Sequence, residues 1–424
     1  MIKTKNRIIQ DDFDVEQYRY LTEERKTLED YSACYEIPLL WEKAKDFSVY
    51  DDSGNKWIDM TSGIFVCNSG FSNFKIKKAI RNCLNNDLLF SFVYNTKIRI
   101  EFVKYLLSIS SKYFNKAILL NSGSEATDTA YKLIKIWSKK NKKKYILTFN
   151  GSYHGRSLGS CLLSKSKEYS EWSGFKDDDV IFIDFPKEND KFDSNMLPQT
   201  NEIAAFFLES YQGYSAEFYS ESYIQDLYNY AKKNNILVVF DEIQSGFYRC
   251  GKLYNYMFYK GIEPDIICLG KGISSSLPLA AVLSRADIID IDETLDLSGT
   301  HCGNSLVLSA ALANLKFLQD EKFQKELKKK IEVFAEIKRL EKYKIVKKVN
   351  VRGMVCGILF DTKEIAAKIV YDCVNEGLLP VYTNRNSIKL GPSLTISVRA
   401  IKEAFDVIEF IISKYDDLLM VNIK

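Results

Sequence analysis

Seven short apolar runs through the middle of the chain restrict its fold more than any other feature. They are "KAILL" (116–120), "YILTF" (145–149), "VIFIDF" (180–185), "AAFFLE" (204–209), "ILVVFDE" (236–242), "DIICLG" (265–270) and "LAAVLS" (279–284). All are rich in Ile, Val, Leu and Phe with little alternation, the pattern of strands buried on both faces. Amphipathic helical patterns lie between several of them. In "SEATDTAYKLIKIW" the apolar positions Ala126, Ala130, Leu133, Ile134 and Trp137 follow helix spacing, and "ESYIQDLYNYAKKNN" is similar. Strand and helix in alternation predict an α/β fold with a mostly parallel central sheet.

The two ends read differently. Residues 1–70 hold a polar arm and a hairpin, "FSVYDDSGNKWIDM", turning at Ser53-Gly54-Asn55. Residues 320–345 form a charged helical segment, followed by strand candidates "VCGILF" (355–360) and "LLPVY" (378–382) and a last helix from about Val398. This predicts a large domain over 71–316 and a smaller α+β domain built from 1–70 and 317–424.

The 424 residues, 46% hydrophobic and 27% charged, have a soluble globular composition and suffice for two or three packed units. A net charge of +3 gives no reason to expect a nucleic-acid or anionic-membrane partner. The dense runs "KKNKKK" (139–144) and "KKK" (328–330) each follow a helical pattern and read as solvated helix ends. Nine scattered cysteines without a CxxC pair point to a reducing compartment, with no disulfide framework and no metal site. The opening residues lack the apolar core of a secretory signal, and no stretch of roughly 18 apolar residues occurs. The expected location is the cytoplasm.

Four loops carry candidate chemistry. In "DIICLGKGISSS" a lysine stands between two glycines where a buried strand ends: a phosphate loop, a lysine held for covalent chemistry, or a surface turn. A phosphate loop fails at both ends, because Asp265 stands where its first glycine belongs and Gly272 follows Lys271. The glycines are expected to let the backbone turn beside Lys271. "LLNSGSEATDTA" (119–130) puts Ser122, Gly123 and Ser124 where a strand meets a helix N-terminus, an anion site or an ordinary cap. "VVFDEIQSGFYRCGK" (238–252) ends an apolar strand on Asp241 and Glu242, which are costly there unless paired. "FNGSYHGRSLGS" (149–160) sets Tyr153 or His154 to stack on a flat ring and Arg156 to grip a carboxylate. A phosphate cradle, an acid for a ring nitrogen, a stacking aromatic and a lysine are together the needs of pyridoxal 5′-phosphate.

In order and spacing, "NSGSEATDTA", "YHGR", "FDEIQSGFYRCGK", "PDIICLGKGISSSLPLAAV" and "SGTHCGNSLVLSAALA" resemble the signatures of class III aminotransferases. These are pyridoxal-phosphate enzymes of fold type I, and the resemblance spans about residues 35–415. It implies that Lys271 is the Schiff-base lysine and then the proton carrier, and that Asp241 pairs with the pyridinium nitrogen. Gln244 would hydrogen-bond the ring's 3-oxygen, Ser122, Gly123 and Ser124 would hold the phosphate, and Tyr153, with His154 beside it, would cover the ring. Thr300 matches a threonine reaching the phosphate of a neighbouring subunit, which implies a homodimer with shared sites. Arg156 matches a carboxylate-binding arginine, and Glu209, Tyr214, Lys389 and Ile64 complete the candidate substrate contacts.

The departures concern the substrate. Ornithine- and aminobutyrate-type members carry "QGEGG"-like and "IRF-PPL"-like text, whose glutamate and arginine form a gating pair. Here the text is "QGYSAEF" and "IKLGPSL", so Tyr214 and Lys389 replace both halves. Tyr and Lys cannot form a bidentate ion pair. The expected activity is transfer of an amino group, as a terminal amine, from a small donor to a 2-oxo acid such as 2-oxoglutarate or pyruvate. Alternatives on the same fold are an aminomutase, racemase or decarboxylase, or a non-catalytic relative.

Overall fold

A computed structural model describes residues 1–30, 37–92, 94–164, 174 and 177–421. They form two compact units, one of Met1–Asn73, Tyr214–Ala216 and Glu321–Lys424, the other of Phe74–Gly213 and Glu217–Asp320.

The second unit is built on a seven-stranded sheet, and each apolar run quoted above supplies one strand. These are β1 (Lys116–Leu120), β2 (Tyr145–Phe149), β3 (Val180–Ile183), β4 (Ile203–Glu209), β5 (Leu237–Asp241), β6 (Ile266–Leu269) and β7 (Ala280–Ser284). Their order is β1-β7-β6-β5-β4-β2-β3. Only β7 runs against its neighbours; the pairs from β6 through to β3 are parallel. Every residue of β4, β5, β6 and β7 is buried, which is why these runs lack alternation.

Helices α1 (Gly123–Lys140), α2 (Glu221–Lys233) and α3 (Ser305–Leu318) lie in this unit. In α1 the apolar positions Ala126, Ala130, Leu133, Ile134 and Trp137 are all buried in the core with Val239 and Val282. Ser122 caps it, its hydroxyl accepting from Glu125 N at 3.2 Å, and Glu125 in the first turn with Lys139 and Lys140 in the last complements the helix dipole.

The first unit holds the predicted hairpin as antiparallel strands Ser48–Tyr50 and Lys56–Asp59. A four-stranded sheet pairs Val346–Arg352, Val355–Phe360, Ser387–Leu390 and Val381–Tyr382 in that order, and the last helix runs Val398–Val421. The run 378–382 splits: Leu378–Leu379 pairs instead with the hairpin strand. Sequence reading missed Val346–Arg352, whose lysines mask it, and the short Ser387–Leu390. It also misread "KKK" (328–330), which lies inside the helix Glu321–Ala335. Lys330 is buried there, its Nζ donating to Leu394 O at 3.0 Å, because a long apolar stem lets a lysine lie on the inner face if its amine finds an acceptor.

Gly357 is the tightest point of the four-stranded sheet. A Cβ there would lie 2.1 Å from the carbonyl oxygen of Ser215, which Asn350 Nδ2 also contacts at 3.0 Å. Gly357→Ala must therefore displace backbone, and a loss of about 2–3 kcal/mol is expected in denaturant unfolding. Among the described residues, no helix is long and apolar enough to cross a membrane.

Candidate active site

Four parallel strands of the second unit, β2, β4, β5 and β6, end at one edge of the sheet, the edge where α/β proteins gather ligand groups. Register fixes what meets there: Asp241, closing β5, pairs with Glu209, closing β4, on one side and with Cys268 of β6 on the other.

Asp241 is 8% exposed. Its Oδ1 accepts from Ile243 N at 3.0 Å, and its Oδ2 lies 2.9 Å from His154 Nδ1. Facing a carboxylate, Nδ1 carries the imidazole proton. His154 comes from the loop after β2, is 2% exposed, and meets Phe207 edge-on at 4.7 Å between ring centroids. His154 thus stands against the acid, while Tyr153 beside it is 39% exposed.

Glu209 is the second acid of this edge. It is buried, and its Oε1 accepts from Gly213 N at 3.1 Å, with a further backbone hydrogen bond from Tyr153. Its Oε2 is also buried and, among the described residues, meets no hydrogen-bonding partner. Burial pushes its pKa up to about 7; His154 opposes that rise and Asp241 adds to it. Glu242 is different. Ser210 Oγ (2.7 Å), Ser245 Oγ (2.5 Å), Asn255 N (2.9 Å) and Tyr256 N (2.8 Å) all donate to its carboxylate, so it is a structural anchor for the 245–256 loop.

Lys271 follows β6. Gly270 is extended at φ −169°, and Gly272 has no positive φ either; the left-handed residue is Lys271 itself, at φ +42°. The expectation that the glycines supply the turn is therefore corrected. What Gly270 supplies is space, since a Cβ there would come within 3.1 Å of Ile243. A lysine in this backbone region is strained and must be held by its surroundings. Asn314 of α3 does so, its Nδ2 donating to Gly272 O at 2.8 Å and Ile273 O at 2.9 Å. Asn314 escaped sequence reading, although one amide inside the apolar "SLVLSAALANLKFL" is the signal that could have found it. Burial lowers the Lys271 pKa, with Asp241 and Glu209 opposing the shift.

The Ser122–Ser124 loop and the Tyr153–Arg156 loop are joined. Arg156 N donates to Ser124 Oγ at 3.0 Å, and Thr127 Oγ1 donates to His154 O at 2.7 Å. Gly155 sits at φ +137°, with a virtual Cβ 2.4 Å from Ser124 Oγ, so only glycine permits this approach. Gln244 Oε1 accepts from Tyr211 Oη at 3.0 Å. The Arg156 side chain and Thr300 are exposed.

Three candidate substrate contacts lie in the first unit. Ser62, Gly63, Ile64 and Phe65 form a left-handed run at φ 45°, 62°, 57° and 65°, which leaves Ile64 39% exposed. Lys389, 2% exposed, sets its Nζ 4.4 Å from the Phe65 ring centroid. The Arg385 guanidinium lies 4.4 Å from the Tyr214 ring centroid, and Ser387 Oγ donates to Tyr214 O at 3.0 Å. Tyr214 and Lys389 thus each face another side chain across an aromatic ring.

A sequence model of the family "Aminotransferase class-III" matches residues 31–412. The chain belongs to the class III aminotransferase family. An ornithine aminotransferase of Staphylococcus carnosus is 28% identical over 386 residues, 89% of this chain and 95% of that protein. An acetylornithine aminotransferase of Clostridium acetobutylicum is 29% identical over 381 residues, 88% of this chain and 95% of its own length. The solved structure of a transaminase from the marine bacterium Virgibacillus superposes with a TM-score of 0.83 at 22% identity, covering 95% of this chain and 100% of that one. The fold is that of fold type I transaminases.

Class III aminotransferases work with pyridoxal 5′-phosphate, and the groups of the second unit fit it. A buried lysine with a lowered pKa and an acid backed by an imidazole suit its aldehyde and its ring nitrogen. Among the described residues no acceptor takes the N–H groups of Gly123 or Ser124, which suits its phosphate.

Glu209 also makes a thermodynamic prediction. Its folded pKa of about 7 stands above the ordinary 4.5, so the stability it contributes is lost as pH rises through that window. In cofactor-free protein, Glu209→Gln is expected to raise the melting temperature by about 2–6 °C above about pH 7.5, and not near about pH 4.5, in thermal scans.

Proposed function

We propose that this aminotransferase moves the terminal amino group of a small donor to a 2-oxo acid such as 2-oxoglutarate or pyruvate, with Lys271 as the residue that carries the cofactor. The observation carrying this reading is Lys271 itself: a buried, left-handed lysine at the end of β6, with Asp241 and Glu209 in electrostatic reach. When bound, the cofactor supplies an aldehyde and an electron-withdrawing ring. Burial favours the neutral Lys271 amine, the form that attacks an aldehyde and later carries the proton from the substrate carbon. Asp241 keeps a proton on the ring nitrogen, and His154 holds that carboxylate in place. Ser122, Gly123 and Ser124 bind the phosphate, Gln244 the 3-oxygen, and Tyr153 covers the ring. Arg156 and Glu209 serve the substrate.

The relatives' names, ornithine and acetylornithine aminotransferase, support a terminal amine as donor. The side chains at 214 and 389 argue that the donor differs from theirs. Lys389 lies over Phe65 and Tyr214 beneath Arg385, so neither takes part in a glutamate–arginine gate.

A homodimer is also part of this reading. Leu84, Leu88, Leu89, Phe90, Phe92 and Tyr94 are 41–76% exposed in one short segment, more apolar surface than a solitary chain ordinarily leaves in water. Phe90 packs against His301 at 5.2 Å between ring centroids, next to Thr300. A second copy covering this segment would bring Thr300 to its neighbour's phosphate. The cytoplasm is the expected setting.

Lys271→Ala is expected to lose the cofactor's visible absorbance and to cut transamination by at least roughly a thousandfold. Turnover retained in that variant would overturn the assignment. In a donor screen against 2-oxoglutarate and pyruvate, ornithine and 4-aminobutyrate are expected to react at least about tenfold more slowly than the best terminal amine.

A further inference from the structure

The assigned chemistry leaves one feature of the strand edge unused. Glu209 is gripped on one oxygen only. Gly213 N holds Oε1 at 3.1 Å and the Tyr153 backbone hydrogen-bonds the carboxyl, while among the described residues no hydrogen-bond partner meets the buried Oε2. The chain hems in the gripped oxygen, since a Cβ on Gly213 would lie 2.8 Å from it. A proton taken up by this carboxyl therefore goes to Oε2, because the Gly213 N–H already pointing at Oε1 repels it. A carboxyl with one oxygen fixed and the other open is oriented for proton exchange.

The surrounding groups make the exchange useful. Those within electrostatic reach are His154 after β2, Asp241 at the end of β5, Lys271 after β6, and the phenols of Tyr211 and Tyr219, which burial holds protonated. Of the two acids, Asp241 is committed to His154 and Ile243 N. Glu209 alone has an uncommitted oxygen.

An amine donor presents a difficulty here. In water near neutral pH it is an ammonium ion, yet only the free amine has the lone pair to attack an aldehyde carbon. Lys271 does not need to accept its proton if an acid beside it can. Transfer from R–NH3+ to R′–COO− yields R–NH2 and R′–COOH, so one positive and one negative charge vanish together. Out of water the neutral pair is favoured over two ions, and a carboxyl that titrates near neutrality takes a proton from an ammonium more readily than an ordinary carboxylate does.

We propose that Glu209 is the base that deprotonates the ammonium group of the incoming amino donor, receiving the proton on Oε2. This rests on the aminotransferase reading above. It assigns Glu209 a role before carbon chemistry begins, distinct from the proton movement given to Lys271. The proton is returned when the amino group, now on the product, leaves as ammonium.

The test compares two nucleophiles on pyridoxal-phosphate-loaded protein. One is the best amine donor from the screen, which arrives protonated. The other is hydroxylamine, whose amino group is already neutral. Each reaction is followed by its change in visible absorbance. At about pH 7, Glu209→Gln is expected to slow the amine reaction roughly a hundredfold and to leave the hydroxylamine reaction within about twofold. The amine deficit should shrink as pH rises, by up to about tenfold per unit, as free amine accumulates. Equal slowing with both reagents would make Glu209 a structural residue and overturn the proposal, as would an undiminished amine reaction. If the variant does not hold the cofactor, the unaltered protein decides: above about pH 7 its amine rate relative to hydroxylamine must fall less steeply with falling pH than loss of free amine requires. A ratio that follows free amine alone overturns the proposal. Failure of the aminotransferase reading looks different, since the unaltered protein would then show no absorbance change with any amine donor.

Discussion

The cost of keeping charge away from water at one edge of a sheet organises the second unit. Asp241 and Glu209 face each other in register at the ends of neighbouring, fully buried strands, with the Lys271 amine in reach of both. Left uncompensated, such a set would carry desolvation costs that no fold of this size could absorb. The surroundings answer each charge separately. Asp241 has an imidazole and a backbone N–H, Glu242 has four donors, and Lys271 shifts toward its neutral form. Only Glu209 is left half answered.

That asymmetry separates groups with similar sequence standing. Asp241 and Glu242 are adjacent acids at the end of one apolar run, and alternation along the strand sends their side chains to opposite faces. One meets His154 across the sheet edge. The other turns toward Ser210, Ser245 and the N–H groups of Asn255 and Tyr256, and ties down the loop. Backbone strain is concentrated in the same way. Lys271 keeps a left-handed conformation because Asn314 clamps the two carbonyls after it.

How much was legible follows from which signals are local. Strands β4 to β7 of the large sheet were readable because both of their faces are buried, so the apolar runs are unbroken. Val346–Arg352 was not, because four of its seven residues are exposed or only partly buried and its lysines imitate a surface helix or loop. Lys330 was misread for the related reason that a lysine's burial depends on what lies above its helix. Lys271, Asp241 and Ser122–Ser124 stood out as residue types unusual at strand ends. Asn314 and the division of labour between Asp241 and Glu242 did not, since both depend on partners distant in the chain.

The sequence by itself determined the α/β class, the strand positions, the family and the set of chemically able residues, since these follow from local hydrophobic pattern and motif spacing. Tertiary structure alone decided which groups are paired and which are left open. His154 turned out to support Asp241, the residue after Gly270 proved to be the left-handed one, and one oxygen of Glu209 has no hydrogen-bond partner among the described residues. Pairing is set by strand register and loop packing between segments tens of residues apart, as for Asp241 with His154, 87 residues earlier, and Glu242 with Ser210, 32 earlier. No local pattern in the chain encodes such distances.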